Sequence, residues 1–478
     1  MNAPDNLAVK HIEPQPDLHA LLEQQRLGAV HAGPLSYERR IATLNALAEM
    51  VKTNRQAFVQ SISADFGNRA TEETELGELM PILNSIKHAR SHLRSWMRPR
   101  KRKVGMAFRP ASASIVYQPL GVIGILAPWN YPLTLTLVPL VEALAAGNRV
   151  MIKPSELTPR TAELLRILIG KTFPADLVTV VTGGPDLAAA FCALPFDHLL
   201  FTGSTRVGRH VMAAAAPNLT PVTLELGGKS PVVLCHDYPL KKAARIVAIG
   251  KLFNAGQTCV APDYALVPRE LVTQFTEELL EAARTLYPTV TGNRDYTSIV
   301  SDQHYERLAR MIDDARASGA IVQQLPDTGA QAERKIAPTV ISGVSADADI
   351  MREEIFGPIL PIMAYDKLDD AISFINQRPK PLALYCFSNR SGDIRSLLES
   401  TSSGGVTVNG TMLHATQEDL PFGGVGESGM GAYHGYDGFV RFSHARGVMT
   451  MSRFNMSHRV AAPYGKMTRL VARIFIGK

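Results

Sequence analysis

Short apolar runs alternate with helix-length segments between Val116 and Glu225, and this feature most constrains the fold. Strand-like runs fall at 122–127, 149–153, 177–181, 198–202 and 222–225. One intervening helix-like run ends at Gly147-Asn148, which suits a C-cap because glycine takes the left-handed conformation without steric cost. Alternation of this kind implies parallel strands joined by right-handed crossovers, a doubly wound α/β sheet. Ligands on such sheets bind beyond the carboxyl ends of the strands. A second alternating region, 230–403, has strands expected at 231–234, 264–267 and 382–387 and reads as a second α/β domain. Between the two lies Thr223-Leu-Glu-Leu-Gly-Gly-Lys229, whose paired glycines suit a crossover. Ahead of both, residues 36–97 place Ile41, Leu44, Leu47, Val51 and Phe58 at helical spacing.

At 478 residues the chain exceeds one ordinary core, and two or three domains are expected. Its 46% hydrophobic and 20% charged residues match a soluble globular protein. No apolar stretch reaches the roughly 18 residues of a membrane span, and residues 1–16 have no apolar signal core. The four cysteines, Cys192, Cys235, Cys259 and Cys386, form no C-x-x-C pair. That spacing argues against a zinc site or disulfide framework and fits a reducing cytosol, so the chain reads as cytoplasmic. The net charge of +6 is partly local, with Arg98, Arg100, Lys101, Arg102 and Lys103 clustered around Pro99. Without interleaved aromatics or a nucleic-acid module, the cluster reads as a solvated linker rather than a nucleic-acid patch. Residues 464–478 set Lys466, Arg469, Arg473 and Lys478 among apolar residues. They read as a packed or frayed terminal helix, with contact to a membrane surface as the alternative.

Two glycine motifs mislead. Gly424-Val-Gly426-Glu-Ser-Gly429 matches G-x-G-x-x-G, but Leu420-Pro421-Phe422 precedes it and another glycine-rich stretch follows, so the strand–turn–helix context is missing. Gly203-Ser-Thr-Arg-Val-Gly208 has the outer spacing of a P-loop but continues Arg209-His210 instead of Lys-Ser/Thr, which argues against ATP. This second segment does follow a strand and open a helix. A helix N-terminus there can hold a pyrophosphate with backbone N–H groups and Ser204, although a plain strand-to-helix turn has the same pattern.

The residues with chemistry gather at the same strand ends. Cys259 lies in the turn-prone Asn254-Ala-Gly-Gln-Thr-Cys259, an approach that exposes a thiol on a loop. A free thiol with pKa about 8.5 is already a few per cent thiolate near neutral pH. The other three cysteines sit among apolar neighbours and read as buried and inert. Asn130, in Ala127-Pro-Trp-Asn-Tyr-Pro132, follows a strand and offers an amide donor for an oxyanion. Glu225 ends a strand between Leu224 and Leu226, where apolar surroundings make a carboxylate a better base; a paired structural carboxylate is the alternative. Lys153 and Glu156 follow a third strand end, positioned to hydrogen-bond ribose hydroxyls.

Taken together, the segments Pro128-Trp-Asn-Tyr-Pro132, Lys153-Pro-Ser-Glu156, Phe201-Thr-Gly-Ser-Thr205, Thr223-Leu-Glu-Leu-Gly-Gly-Lys-Ser-Pro231, Gly256-Gln-Thr-Cys259 and Glu354-Ile-Phe-Gly-Pro358 resemble the aldehyde dehydrogenase superfamily, over about residues 20–447. Gln257-Thr-Cys-Val-Ala-Pro-Asp-Tyr264, Lys380-Pro-Leu-Ala-Leu-Tyr385 and Ser428-Gly-Met-Gly-Ala-Tyr-His-Gly435 are similar to its class 3 branch. Within that branch, Ala64-Asp-Phe-Gly-Asn-Arg69 and residues 88–102 resemble coniferyl aldehyde dehydrogenases.

The resemblance implies NAD(P)-dependent oxidation of an aldehyde to its acid, with coniferyl aldehyde leading and medium- or long-chain aliphatic aldehydes behind. It implies Cys259 as nucleophile, its N–H and the Asn130 amide as oxyanion donors, hydride loss to a nicotinamide, and Glu225 as the base that hydrolyses the thioester. It assigns Trp129, Lys153, Glu156, Gly203, Ser204, Gly208, Glu354 and Phe356 to the cofactor, which is NAD, with NADP accepted. No metal is implied. Glu225 argues for water rather than coenzyme A as acyl acceptor, and the intact Cys259, Asn130 and Glu225 argue against a dead binding protein. The implied division is 1–103 N-terminal helices of the cofactor domain, 104–118 bridging and oligomerisation, 119–225 dinucleotide-binding sheet, 226–414 catalytic thiol domain, 415–450 return to the cofactor and oligomerisation region, and 451–478 basic tail. Class 3 resemblance further implies a homodimer. Thr258 and Val260 flank Cys259, so no neighbouring disulfide can shield it.

Overall fold

The computed structural model describes residues 17–326, 329–453 and 460–476; the polar 1–16 and Lys478 lie outside them. The first sheet has six strands in the order Gly429–Met430, Val222–Glu225, His198–Thr202, Val122–Leu126, Arg149–Lys153, Val178–Val180, parallel except for the first. The chain winds outward from Val122–Leu126 to Val178–Val180, then returns to the other side at His198–Thr202. The topological switch therefore lies between Val122–Leu126 and His198–Thr202, where the carboxyl ends of two strands diverge. The strands 149–153, 198–202 and 222–225 match their expected limits; 122–127 ends one residue early and 177–181 is shorter by one residue at each end, as fraying predicts.

Helix Thr134–Ala146 packs almost wholly inside, which explains its continuous apolar sequence. It stops where expected, at Gly147 with φ 92°. Asn148 then ties the end down: its amide donates to Ala143 O and Phe442 O, and its oxygen accepts from Gly121 N.

The second sheet has seven strands in the order Ile321–Gln324, Thr339–Ser342, Ile359–Tyr365, Tyr264–Pro268, Pro231–Leu234, Ala383–Phe387, Gly405–Val408, with only Ile321–Gln324 antiparallel. The chain passes from Glu225 to Pro231 in five intervening residues, so the carboxyl edge of the first sheet faces the amino edge of the second. One core cluster, with members such as Ile125, Leu200, Val232 and Tyr385, joins the two sheets. This junction is what forms a cleft.

The basic cluster departs from the expected linker. Arg100–Arg102 is a strand paired with Ser112–Pro119, which pairs in turn with Ser443–Thr450 in a separate antiparallel sheet. The Arg100 guanidinium lies 4.0 Å from the Tyr436 ring centre, a cation–π contact that orders it. The terminal segment forms the expected helix, Lys466–Ile476, but none of its side chains is buried, so it is not packed against the described residues.

Candidate active site

Cys259 follows an unusual backbone. Asn254, Ala255 and Gly256 take φ of 53°, 49° and 75° in succession. Side chains resist this region at a cost of order 1 kcal/mol or more each, and such strain persists only where surroundings over-determine it. Gly256 has no alternative, because a Cβ there would lie 2.3 Å from Gly357 O. Gln257 supplies the surroundings: its amide donates to Asn254 O and Ser298 O, and its oxygen accepts from Val300 N, at 3.0–3.1 Å. Tyr131 and Thr258 share a hydroxyl hydrogen bond of 2.7 Å, and Tyr385 donates to Val260 O. The loop is thus held on both sides of the sulfur.

Asn130 is buried at the carboxyl end of Val122–Leu126. Its amide nitrogen donates one hydrogen to Gln257 O at 3.2 Å. That bond fixes the side-chain plane beside the cysteine loop and leaves the second N–H available. Behind Asn130 lies a network the sequence did not reveal. Arg69 donates to Asn130 O and to Glu78, both at 3.1 Å, with both Arg69 and Glu78 side chains fully buried. Glu78 also accepts from Leu133 N at 3.1 Å and Thr134 N at 2.7 Å, capping the helix that follows Asn130. Burial pushes Glu78 up to about 7 despite these partners. Glu78 reaches inward from a single π-helical turn, Glu75–Leu79, set into otherwise α-helical chain. Glu73 bonds Asn254 N and the Thr297 hydroxyl, bracing the strained loop from the same side.

Removing one partner of the buried pair leaves the other charge without its counterpart. Glu78→Ala is expected to lower unfolding free energy by about 3–5 kcal/mol in urea denaturation, with a parallel fall in activity. A loss below about 1 kcal/mol would show that Arg69 finds compensation elsewhere.

Glu225 ends the strand beside His198–Thr202, and its residue pairs with Gly429. It is buried, and neither carboxyl oxygen receives a protein hydrogen bond among the described residues. Burial therefore holds it well above the usual carboxylate range, with Arg441 opposing weakly. The Cys259 thiol is pushed up to about 12, first by burial, then by the Glu354 and Glu225 carboxylates. Cys259 itself is half-buried, less open than its turn-prone sequence suggested. Glu354, pushed up to about 8 by burial and by Asp263, accepts from Gly228 N. Its carboxylate lies so close over Gly227 that a Cβ there would meet it at 1.9 Å.

The remaining candidates spread along the carboxyl edge of the first sheet. Lys153 is buried at a strand end and donates to the exposed Glu156 at 2.7 Å. That bond and charge leave Glu156 below its ordinary value in spite of partial burial. Ser204 caps helix Thr205–Ala215, accepting from Val207 N, and the first-turn N–H groups of that helix open toward the switch point. Gly203 binds Glu225 O through its N–H, and a Cβ there would strike the Phe201 ring. Gly208 faces the other way: a Cβ would lie 2.7 Å from Leu226, so this glycine sets helix–strand approach rather than lining the cleft. Trp129 and Phe356 are half-buried with ring centres 5.3 Å apart, Phe356 at φ 54°. An aromatic floor, an amine–carboxylate pair and an open helix terminus along one sheet edge fit a dinucleotide. Away from this cleft, Cys235, Asp237 and Asp393 bring ligand-type atoms within 4.8 Å of one another. There Asp237 already accepts from the Ser388 hydroxyl and Asn389 N.

A thiol, a carboxylate and an amide therefore converge beside a dinucleotide-shaped edge. The aldehyde dehydrogenase family model matches residues 17–448. The chain belongs to the aldehyde dehydrogenase family. A Pseudomonas aeruginosa protein named "Probable coniferyl aldehyde dehydrogenase" is 49% identical over 460 residues, 96% of each chain. The dimeric NADP-preferring aldehyde dehydrogenase of Rattus norvegicus is 41% identical over 431 residues, 90% of this chain and 93% of the relative. Among solved structures, one described as the substrate bound state of Staphylococcus aureus AldH has a TM-score of 0.92 at 36% identity, covering 96% of this chain and 100% of that one. As an aldehyde dehydrogenase, the chain oxidises an aldehyde to its carboxylic acid.

Proposed function

We propose that this aldehyde dehydrogenase acts on coniferyl aldehyde or a close phenylpropenal, using Cys259 as nucleophile and Glu225 as base. The observation that carries the mechanism is Glu225: a buried carboxylate without a protein hydrogen bond, close enough to the Cys259 thiol to raise it. Such a group is costly to keep for structure alone and suited to taking a proton.

The Cys259 thiol gives up its proton, by way of Glu225, to solvent water as its sulfur adds to the carbonyl carbon, and the oxygen gains negative charge. The free Asn130 N–H and the Cys259 backbone N–H donate to that oxygen, a contribution of about 2.7–4 kcal/mol per donor in comparable sites. Reformation of the C=O bond expels hydride and leaves a thioester on Cys259. A bound nicotinamide supplies the hydride acceptor. Glu225 then takes a proton from water as it attacks the thioester, and acid and free thiol separate.

Lys153 and Glu156 hold the adenosine ribose, the Ser204-capped helix end and Gly203 the pyrophosphate, and Trp129, Glu354 and Phe356 the nicotinamide side. The Glu156 carboxylate repels a 2′-phosphate, favouring NAD, with NADP accepted. The substrate assignment is supported by relatives named for coniferyl aldehyde at 44–49% identity over 94–98% of the chain. A longer apolar aldehyde is the second reading, favoured by a 41% identical relative named 4,4'-diaponeurosporen-aldehyde dehydrogenase. The separate small sheet, with Ser443–Thr450 at its edge, supports assigning residues 104–118 and 415–450 to a homodimer contact. No helix among the described residues is long and apolar enough to cross a membrane, and we assign the enzyme to the cytoplasm.

Nicotinamide reduction with coniferaldehyde, benzaldehyde and decanal, each with NAD and NADP, tests this. The expected result is highest kcat/KM for coniferaldehyde with NAD. Preference for decanal keeps the chemistry and overturns the substrate, and silence with all three overturns both.

A further inference from the structure

The helix Lys466–Ile476 lies beyond the residues that the family model matches. Its sequence, KMTRLVARIFI, separates two chemistries by helical spacing. Met467, Leu470, Val471, Ile474 and Phe475 recur at intervals of three, one, three and one residues, which places them on one face. Lys466, Arg469 and Arg473 occupy the opposite face. None of its side chains is buried: Leu470, Ile474 and Phe475 are 54%, 67% and 61% exposed, and Tyr464 just ahead of it is 68% exposed. An apolar stripe of this size left open on a water-soluble enzyme marks an interaction surface.

Charge decides what covers it. From residue 438 to 478 the chain has no Asp or Glu and eight Lys or Arg, while the whole chain carries only +6, so the remainder is net acidic. The tail of a second copy would be equally cationic and would repel this one. An anionic lipid surface meets both faces at once, taking the apolar stripe below its headgroups and the three cations beside them. At 11 residues the helix is too short to span a bilayer and long enough to lie in its surface. We infer that Lys466–Ile476 is an amphipathic anchor that attaches this enzyme reversibly to anionic membranes.

The full-length enzyme is mixed with sucrose-loaded vesicles of phosphatidylcholine alone or containing phosphatidylglycerol, then sedimented. Co-sedimentation is expected only with phosphatidylglycerol and falls as salt is raised. The double variant Leu470→Glu/Ile474→Glu and the double variant Arg469→Glu/Arg473→Glu should each weaken it by at least about tenfold. Both variants should oxidise soluble aldehyde at the parent rate, which shows the enzyme folded; a chain ending at Gly465 provides the same test if either variant misfolds. Sedimentation that ignores lipid charge, or that persists in the variants, overturns the inference. So does a fall in molecular mass of the variants by light scattering, which would mean that the helix covers a second copy. None of these outcomes depends on which aldehyde is preferred.

Discussion

Replacing Cys259 with alanine is expected to lower aldehyde-dependent nicotinamide reduction by more than about a thousandfold, some 4 kcal/mol of transition-state stabilisation. Nothing else on the cleft edge can take its place: Cys192, Cys235 and Cys386 are all buried elsewhere. The substitution removes one sulfur and leaves Gln257, Asn254 and Gly256 holding the loop, so NADH binding, followed by fluorescence, should change little. Residual turnover within tenfold of the parent would refute the nucleophile assignment. The same thiol has a pH signature. Held up to about 12 by burial and two carboxylates, it is almost wholly protonated at neutral pH in the free enzyme. Iodoacetamide should therefore label Cys259 about tenfold faster for each pH unit gained, with no plateau near 8.5 where a free thiol would level off.

The second large effect belongs to Glu225. Glu225→Gln keeps the shape and removes the charge, so the first turnover should release a burst of NADH near the parent rate. Steady-state turnover should then fall by about 100- to 1,000-fold, because thioester hydrolysis has lost its base. Thermal unfolding separates this role from a structural one. A carboxylate without hydrogen-bond partners pays for burial and returns nothing to the fold, so the Gln variant should melt at or above the parent temperature. A parent-like steady state would remove Glu225 from the mechanism, and a lower melting temperature with equal burst and steady-state losses would make it structural.

Much of this site was legible because the fold puts chemistry at strand ends. Once 122–127, 149–153, 198–202 and 222–225 read as parallel strands, the residues at or just beyond their ends, Asn130, Lys153, Ser204 and Glu225, became the candidates. What escaped was everything that depends on the chain meeting itself at long range. Arg69 and Glu78 touch Asn130 and Thr134 across more than fifty residues, and nothing in a helical periodicity marks which polar residue turns inward. Gln257 carried no role of its own in the sequence, and in the structure it brackets the loop. Gly208 is ambiguous in the sequence, because a glycine that admits a phosphate and a glycine that admits a neighbouring leucine leave the same letter; a Cβ there would face Leu226. In sequence the tail stays open between a packed or frayed helix and a membrane contact, because amphipathicity shows that a helix has a partner face and only the structure shows the face uncovered.

The π turn at Glu75–Leu79 makes this part of the chain sensitive to counting rather than to chemistry. An α-helix rotates about 100° per residue, so deleting one residue here would restore regular pitch and swing Glu78 a quarter-turn or more off its targets. Leu76, exposed in the same turn, can change identity freely. Mutational drift through this segment should therefore accumulate substitutions and reject length changes, since the extra residue keeps the Glu78 carboxylate in register with Arg69 and with the first N–H groups of the helix after Asn130.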